Sequence, residues 1–281
     1  MKTDVDEVLQ AVTAARRRAE EIARRLCLET STLPCFEAYV LNIIMLQMAS
    51  DMRRGRRVDV GRYASVVERK LSSRKRTVLL TEICRLYCEE LQKEKLRIIA
   101  DVGCGLGLNL NITKSYVADS EILLGIDKNL HFLKMLKGMV AGAEAILADA
   151  SALPLKDESI DMIFCTGVVH ELPNLNAIDE IKRVLKNGGK ALLVDTALRS
   201  IPSQVLDITR RLRVRLGKEP EMPYTLKQLF SKIEALGMHM EKSLVFWRAF
   251  IIGIVAIVAS KTSVAKIKLS AGAHSEKLSF H

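Results

Sequence analysis

The sequence predicts an α/β fold in which a doubly wound, mainly parallel sheet follows an α-helical N-terminal extension. Two patterns lead to this prediction. In residues 1–95, apolar side chains recur every three or four positions, which is the spacing of helices. From residue 96 onward, short apolar runs alternate with helical stretches, which is typical of βαβ units. We therefore divide the chain into an extension over 1–95, an α/β domain over 96–261 and a polar tail over 262–281.

The extension is expected to contain four helices. Thr3 and Asp6 resemble a capping box at the start of the first helix, and Pro34 suits the first turn of the second. The third helix is predicted over about 63–71, and the fourth begins after Ser72 or Ser73.

Strands and helices then alternate through the α/β domain. The strands are predicted at 97–102, 122–126, 145–148, 160–165 and 191–195, and the helices between them at 108–117, 130–140 and 175–185. Asn129 suits the N-cap of the second of these helices. The run Asn187-Gly188-Gly189 predicts a tight stop before the last of these strands.

The end of the domain has two further signals. The segment Thr225-Leu226-Lys227-Gln228 is a capping box that opens a helix. Two runs rich in Val, Ile and aromatic residues, at 241–247 and 250–260, then predict a terminal hairpin. Gly253 inside the second run indicates a bulge or a close backbone approach.

Composition excludes several classes of protein. The chain is 49% hydrophobic and 27% charged, so disorder and a collagen-like repeat are ruled out as its overall state. Its six cysteines form no disulfide framework, so we expect a reduced, cytoplasmic protein. Its apolar runs are interrupted, or shorter than the roughly 20 residues of a membrane-spanning helix, so no transmembrane segment is predicted.

The net charge of +10 is unevenly distributed. Basic residues are concentrated at 53–76 and at 199–218, whereas the intervening stretch 101–195 is acidic overall. Such runs are compatible with solvated helix faces. Two runs of the same sign also favour an anionic partner, such as a phosphate-bearing substrate, RNA or an anionic membrane surface.

The most informative motif is the glycine-rich stretch 101–109, Asp-Val-Gly-Cys-Gly-Leu-Gly-Leu-Asn, between a predicted strand and a predicted helix. Gly103, Gly105 and Gly107 allow a sharp turn and a close approach to a ligand. The spacing differs from the G-x-G-x-x-G pattern of dinucleotide sites, and alone it is also compatible with a turn that binds nothing.

Acidic residues accompany the first three predicted strands. Asp127 ends the second strand, where an acid can accept hydrogen bonds from both ribose hydroxyls. Asp149 ends the third strand, where a carboxylate could accept from an adenine amino group. Asp101 precedes the glycines, and its charge favours a ligand with an ammonium or sulfonium group over a pyrophosphate. Together the motifs indicate a cationic ligand that contains a nucleoside.

With these motifs in order, residues from about 96 to 261 resemble the class I S-adenosylmethionine-dependent methyltransferases. The resemblance is greatest to the type 11-like group, which includes small-molecule and quinone-biosynthesis enzymes. It rests on five stretches, namely 101–107, Asp127, 149–161, 162–173 and 181–190. It implies a Rossmann-like sheet of seven strands whose last strand is antiparallel, with S-adenosyl-L-methionine as cofactor.

The resemblance also implies roles for individual residues. Gly103, Gly105 and Gly107 would line the methionine and ribose portions of the cofactor, and Asp101 would reach the methionine amino group, directly or through water. Asp127 would hold the ribose. The other implied cofactor contacts are Cys104 between the glycines, Lys128 and Asn129 beside the adenine, Asp149 and Ala150 at the adenine edge, and Cys165 and Thr166 near the methionine.

Methyl transfer is a displacement at carbon, for which the protein supplies orientation and a base. His170 lies in the loop that faces the acceptor in this family, so it is the first candidate for a base or an acceptor-orienting group. Glu171 is a weaker candidate. The alternative for His170 is a loop histidine bonded to the backbone.

Neither a metal site nor a cysteine nucleophile is predicted. The pair His170-Glu171 begins a zinc-binding pattern, but Asn174 stands where the second histidine is needed and Pro173 would break the helix. Cys84 and Cys88 are interpreted as core residues. Cys165 lacks the flanking pattern of RNA enzymes that use a cysteine nucleophile.

The acceptor is predicted to be a small, anionic or lipid-like metabolite. We hypothesise that the extension and a basic insertion at about 196–224 form a lid over it, because both concentrate positive charge. RNA, such as tRNA or rRNA, is the first alternative acceptor, and protein is another. A non-catalytic partner that only binds the cofactor is a further alternative, although Asp101, Asp127 and Asp149 disfavour it.

Overall fold

The computed structural model describes residues 74–93, 96–117, 121–199, 203–217, 223–247, 252–261 and 278–279, together with the single residues Arg17, Glu21 and Ser65. Apart from those three single residues, the first three predicted helices lie outside the described residues, as do most of the basic segment 53–76 and most of the polar tail. The chain divides into two compact units, one of residues 1–94 with 111–117 and one of residues 95–110 with 118–281.

The described part of the first unit contains helix α1 (Arg74–Lys93), at the position of the fourth predicted helix. The thiol of Cys88 donates a hydrogen bond to the hydroxyl of Tyr116 at 3.1 Å. The buried apolar side chains of α1 recur at helical spacing and include two cysteines that form no disulfide: Ile83, Cys84, Leu86, Tyr87, Cys88 and Leu91. This burial confirms that Cys84 and Cys88 are core residues.

One mixed sheet forms the frame of the second unit. Among the described residues it has the order β3-β2-β1-β4-β5-β8-β7, with two-residue strands β9 beside β7 and β6 beside β5. The strands are β1 (Ile98–Val102), β2 (Ile122–Asp127), β3 (Glu144–Leu147), β4 (Ile160–Thr166), β5 (Leu185–Leu198), β6 (Tyr224–Thr225), β7 (His239–Trp247), β8 (Ile252–Ser260) and β9 (Leu278–Ser279). The predicted α/β fold is therefore confirmed.

Helices connect most of the strands, close to their predicted positions. Asn129 caps its helix by accepting a hydrogen bond from the amide of His131, and Thr225 and Gln228 form both bonds of the capping box. The helices are α2 (Leu108–Lys114), α3 (Leu130–Met139), α4 (Asn176–Val184), α5 (Ser203–Arg215) and α6 (Leu226–Ala235), and Val169–Glu171 form a 3₁₀ turn. No described helix is both long enough and apolar enough to span a membrane.

The terminal hairpin is present, and its second strand is central in the sheet. Strand β8 is antiparallel both to β7 and to β5. Of the two alternatives predicted for Gly253, a bulge or a close backbone approach, the structure shows the close approach. A Cβ there would lie 2.7 Å from the ring of Trp247 and 2.8 Å from the carbonyl oxygen of Phe246.

The run Asn187-Gly188-Gly189 lies inside strand β5, so the predicted start of this strand at residue 191 is wrong. Leu185 pairs with Ile160 and Lys190 pairs with Met162, so the extra residues between them form an irregularity in the ladder. Gly188 takes the left-handed conformation there, with φ +86°. The predicted stop is therefore a local irregularity within one strand.

The strand order defines where a ligand can enter. Strands β1 and β4 are neighbours, and the chain proceeds from β1 to β2 and β3 on one side and from β4 to β5 on the other. The loops that leave the carboxyl ends of β1 and β4 therefore run in opposite directions and leave a crevice, which is where open α/β sheets bind ligands. The core beneath it is apolar, with Ile163 and Phe164 of β4 both fully buried.

Candidate active site

The loop between β1 and α2 is the first component of the crevice. Gly103, Gly105 and Gly107 all have positive φ, at +71°, +52° and +79°. This conformation favours glycine because other residues place a Cβ against their own backbone. The amides of Gly103 and Cys104 both donate to the carbonyl oxygen of Ile126, at 2.7 and 3.0 Å, and so fix the loop against the end of β2.

The three glycines have different surroundings. A Cβ on Gly103 would lie 2.2 Å from Val168, and one on Gly107 would lie 2.0 Å from Leu136. A Cβ on Gly105 would meet no atom within 4 Å. Gly103 and Gly107 therefore allow close packing, whereas Gly105 borders open space in which a ligand can approach the backbone.

Asp101 lies beneath this loop, near the end of β1. It is fully buried, and its Oδ1 accepts a hydrogen bond at 3.1 Å from the side-chain amide of Asn109. The same amide nitrogen of Asn109 also donates to Oγ1 of Thr166 at 3.3 Å. Among the described residues, no group donates to Oδ2 of Asp101. Burial raises the pKa of Asp101 to about 7; the bond from Asn109 lowers it, and the charge of Asp127 raises it further. A buried carboxylate with an unsatisfied oxygen suits a cationic donor.

Asp127 organises the backbone on the other side of the loop. Its Oδ2 accepts from the amide of Gly105 at 2.9 Å, and its Oδ1 accepts from the amide of Asn129 at 2.8 Å. The same carboxylate therefore holds the open glycine and the start of α3. Each oxygen retains a further lone pair, because an ionised carboxylate can accept about four hydrogen bonds.

Asp149 and Ala150 follow β3 in a tight turn. Asp149 is exposed, and its Oδ1 accepts from the amide of Ser151 at 2.7 Å. Arg183 fixes the segment that follows, because its Nη2 and Nη1 donate to the carbonyl oxygens of Leu153 and Leu155, both at 2.8 Å. Sequence reasoning missed this arginine, because the two carbonyl groups that it binds are about 30 residues away along the chain.

The two cysteines of the site are packing residues rather than nucleophiles. Cys165 at the end of β4 is fully buried, and burial raises its pKa well above the ordinary value. Burial also raises the pKa of Cys104, as do the nearby charges of Asp101 and Asp127. A thiol must ionise to attack, so neither side chain is activated.

His170 lies in the 3₁₀ turn after β4 and is paired with a buried acid. Its Nδ1 is 2.7 Å from Oδ1 of Asp195, and its backbone amide donates to Oδ2 of the same residue at 3.3 Å. The side chain of Asp195 is 4% exposed and that of His170 is 26% exposed. The carboxylate therefore orients the imidazole, and the His170 side chain as a whole remains partly exposed. Glu171, next along the chain, is exposed.

Sequence reasoning missed Asp195 and Asn109 as site residues. Asp195 follows the apolar run 191–194, just as Asp101 and Asp127 follow theirs, so the same pattern contained the signal. Asn109 stands in the glycine motif itself. Within the described residues, no cluster of histidine, cysteine, aspartate and glutamate could hold a metal ion.

The sequence and the fold of this chain are similar to those of known proteins. Residues 100–193 match a family model described as a methyltransferase domain. A putative methyltransferase from Bacillus halodurans has the same fold, with a TM-score of 0.53 over 64% of this chain and 98% of that one, at 16% identity. Residues 100–193 are therefore a methyltransferase domain, and the sheet has the fold of the class I S-adenosylmethionine-dependent methyltransferases.

Relatives of the methyltransferase domain match only part of this chain. The protein MJ0638 of Methanocaldococcus jannaschii is 34% identical over 116 residues, which cover 41% of this chain and 48% of that one. The uncharacterized methyltransferase C25B8.09 of Schizosaccharomyces pombe is 30% identical over 38% of this chain and 41% of that one. This chain thus spans less than half the length of either relative.

Proposed function

We propose that this chain transfers a methyl group from S-adenosyl-L-methionine to a small, anionic or lipid-like acceptor. The observation that carries the proposal is the buried Oδ2 of Asp101, which no described group satisfies and which lies beneath the glycine loop. An ammonium group would satisfy it, and the methionine part of this cofactor ends in one.

The residues of the crevice fit this cofactor. Asp101 would hold its amino group, Gly103, Cys104, Gly105 and Gly107 would border its methionine and ribose, and Asp127 would accept from the ribose hydroxyls. Lys128, Asn129, Asp149 and Ala150 would border the adenine, and Cys165 and Thr166 would lie near the methionine. When bound, the cofactor supplies a methyl group on a sulfonium, which is reactive enough for direct displacement.

His170 would act as the base that receives the acceptor's proton. With a proton on Nδ1 donated to Asp195, Nε2 becomes the basic nitrogen, and the aspartate stabilises the imidazolium that forms. The acceptor would lose its O–H or acidic C–H proton to Nε2 as its new bond to the methyl carbon forms. Glu171 is the second candidate for this role.

Related proteins support two kinds of acceptor. The sterol 4-C-methyltransferase strm-1 of Caenorhabditis elegans is 29% identical over 39% of this chain and 35% of that one. A tRNA (carboxymethyluridine(34)-5-O)-methyltransferase of Mus musculus is 27% identical over 44% of this chain and 18% of that one. The first supports a lipid-like acceptor, and the second supports RNA as the alternative, for which the basic segments would supply phosphate contacts.

The test uses the full chain and two measurements. Calorimetry with S-adenosylhomocysteine should show binding to the native protein that Asp101→Asn weakens by about tenfold or more, whereas the matched surface variant Asp179→Asn leaves it unchanged. Radiolabelled methyl transfer into fractionated cell extract should label the small-molecule pool. Label in the RNA pool would select the alternative acceptor, and a native protein that binds neither donor nor product would refute the proposal.

A further inference from the structure

Arg210 of helix α5 is a buried cation of the basic insertion at about 196–224, and it is not among the residues predicted to bind the cofactor or to act as the base. Its exposure is 3%. Its Nη1 donates to the carbonyl oxygen of Leu172 at 3.0 Å, and its guanidinium carbon lies 3.4 Å from the centre of the Tyr224 ring. The hydroxyl of Tyr224 donates to the same carbonyl oxygen at 3.1 Å. Two contacts therefore fix the plane of the guanidinium.

The other edge of this guanidinium is unsatisfied. Nε and Nη2 of Arg210 are buried, and no acceptor in the described part of the chain bonds either of them. Burial lowers the pKa of Arg210, while the Asp207 and Asp195 charges raise it without forming an ion pair among the described residues. Nε and Nη2 form the side edge of the group, whose two parallel N–H bonds match the two oxygens of a carboxylate or phosphate.

Arg210 lies at the same end of the sheet as His170. The carbonyl group that it binds belongs to Leu172, two residues after His170. Tyr224, which stacks on it, is in β6, and β6 pairs with β5 at Ala197, two residues after Asp195. The unsatisfied edge and the proposed base are therefore supported by the same two stretches of chain.

We propose that Nε and Nη2 of Arg210 bind an oxyanion group, a carboxylate or a phosphate, of the methyl acceptor. The inference rests on the proposed function and narrows its acceptor to one that carries such a group. Both nitrogens are buried, so binding requires a local displacement of their neighbours. A lysine would not replace this arginine, because an ammonium cannot present two parallel donors.

The experiment measures anion binding to the full chain saturated with S-adenosylhomocysteine. Thermal unfolding is followed as inorganic phosphate or acetate replaces chloride at constant ionic strength. We expect a saturable rise in the unfolding temperature with at least one of the two anions, and the one that acts identifies the chemical group. Arg210→Lys should weaken the apparent anion affinity by about tenfold, and Arg210→Met should abolish the saturable effect.

Arg211→Met is the matched control, because Arg211 is the neighbouring residue of α5 and is exposed. It should retain the anion affinity of the native protein. If neither anion gives a saturable effect on the native protein, or if Arg210→Lys binds as tightly as the native protein, the inference is refuted even when Arg210→Met does not fold. S-adenosylhomocysteine binding is measured in the same samples, so its loss from the native protein would refute the proposed function separately.

Discussion

Asp101 links the ionisation of a single residue to both folding and ligand binding. Its pKa in the fold is about 7, above the ordinary value of 3.8, because burial disfavours the charged form. A folded state with a raised acid pKa binds protons more tightly than the unfolded chain. The contribution of Asp101 to the stability of the protein without ligand therefore falls as the pH rises from 3.8 to about 7. A cationic ligand needs the ionised carboxylate, so its affinity changes in the opposite direction.

We predict opposite pH trends for the ligand-free and ligand-bound protein. Between about pH 5 and about pH 7, the contribution of Asp101 to stability should fall in the free protein, while the stabilisation by S-adenosylhomocysteine should rise. Thermal unfolding with and without this ligand measures both trends. Asp101→Asn should reduce both. A ligand-induced stabilisation that is independent of pH in the native protein would contradict the role given to this carboxylate.

Asp195 is expected to act through His170 rather than on the acceptor. Its carboxylate favours the imidazole tautomer with a proton on Nδ1, and it stabilises the charged ring. Asp195→Asn should lower kcat by about 100-fold, shift the pH profile of kcat, and leave the affinity for S-adenosylhomocysteine within about twofold. Steady-state kinetics on the labelled acceptor pool measures these effects. The exposed His239→Gln is the control, and an unchanged pH profile in Asp195→Asn would indicate a purely structural pair.

At the scale of the element, the glycine loop has two separable functions. Gly107 permits close packing, since a Cβ there would lie 2.0 Å from Leu136, and its φ of +79° disfavours other residues. Gly105 also has a positive φ but borders open space. One position therefore contributes to folding, and the other contributes to access for a ligand.

Alanine substitutions should separate these two functions. Gly107→Ala should lower the free energy of unfolding by about 2–4 kcal/mol, because it adds both a clash and backbone strain. Gly105→Ala should lower it by only about 1 kcal/mol but should weaken S-adenosylhomocysteine binding in proportion to the space it fills. Denaturant unfolding and calorimetry measure the two quantities. Equal losses of stability in both variants would contradict the assignment.

At the scale of the whole molecule, the net charge of +10 favours anionic partners. The predicted contacts of the cofactor are local and partly buried, so its affinity should depend little on salt. An anionic acceptor also senses the wider charge distribution, so its apparent affinity should fall as salt screens that field.

We therefore predict different salt dependences for the two ligands. Between about 50 mM and about 300 mM salt, KM for the acceptor should rise several-fold, while Kd for S-adenosylhomocysteine should change by less than about twofold. Kinetics and calorimetry on the full chain measure these constants. An acceptor KM that does not change with salt would argue for an uncharged acceptor. A steep fall of acceptor affinity with salt, as when many counterions are released on binding, would argue for RNA.

The sequence by itself determined most of the described strands and helices of the α/β domain and the glycine loop between β1 and α2. Periodicity and turn chemistry act over a few residues, which is why the strands, the Asn129 cap, the Thr225 capping box and the glycine loop could all be predicted. Gly253 was recognisable for the same reason. The resemblance to methyltransferases then depended on the order of these local motifs.

Only the tertiary structure decided which distant groups meet. The pairing of His170 with Asp195 joins residues 25 positions apart, and the burial of Arg210 against Tyr224 and Leu172 depends on how α5 and β6 pack at the end of β5. The irregularity at Gly188 likewise depends on the register with β4. Local preferences cannot specify such contacts, because burial and strand register are properties of the whole packed sheet.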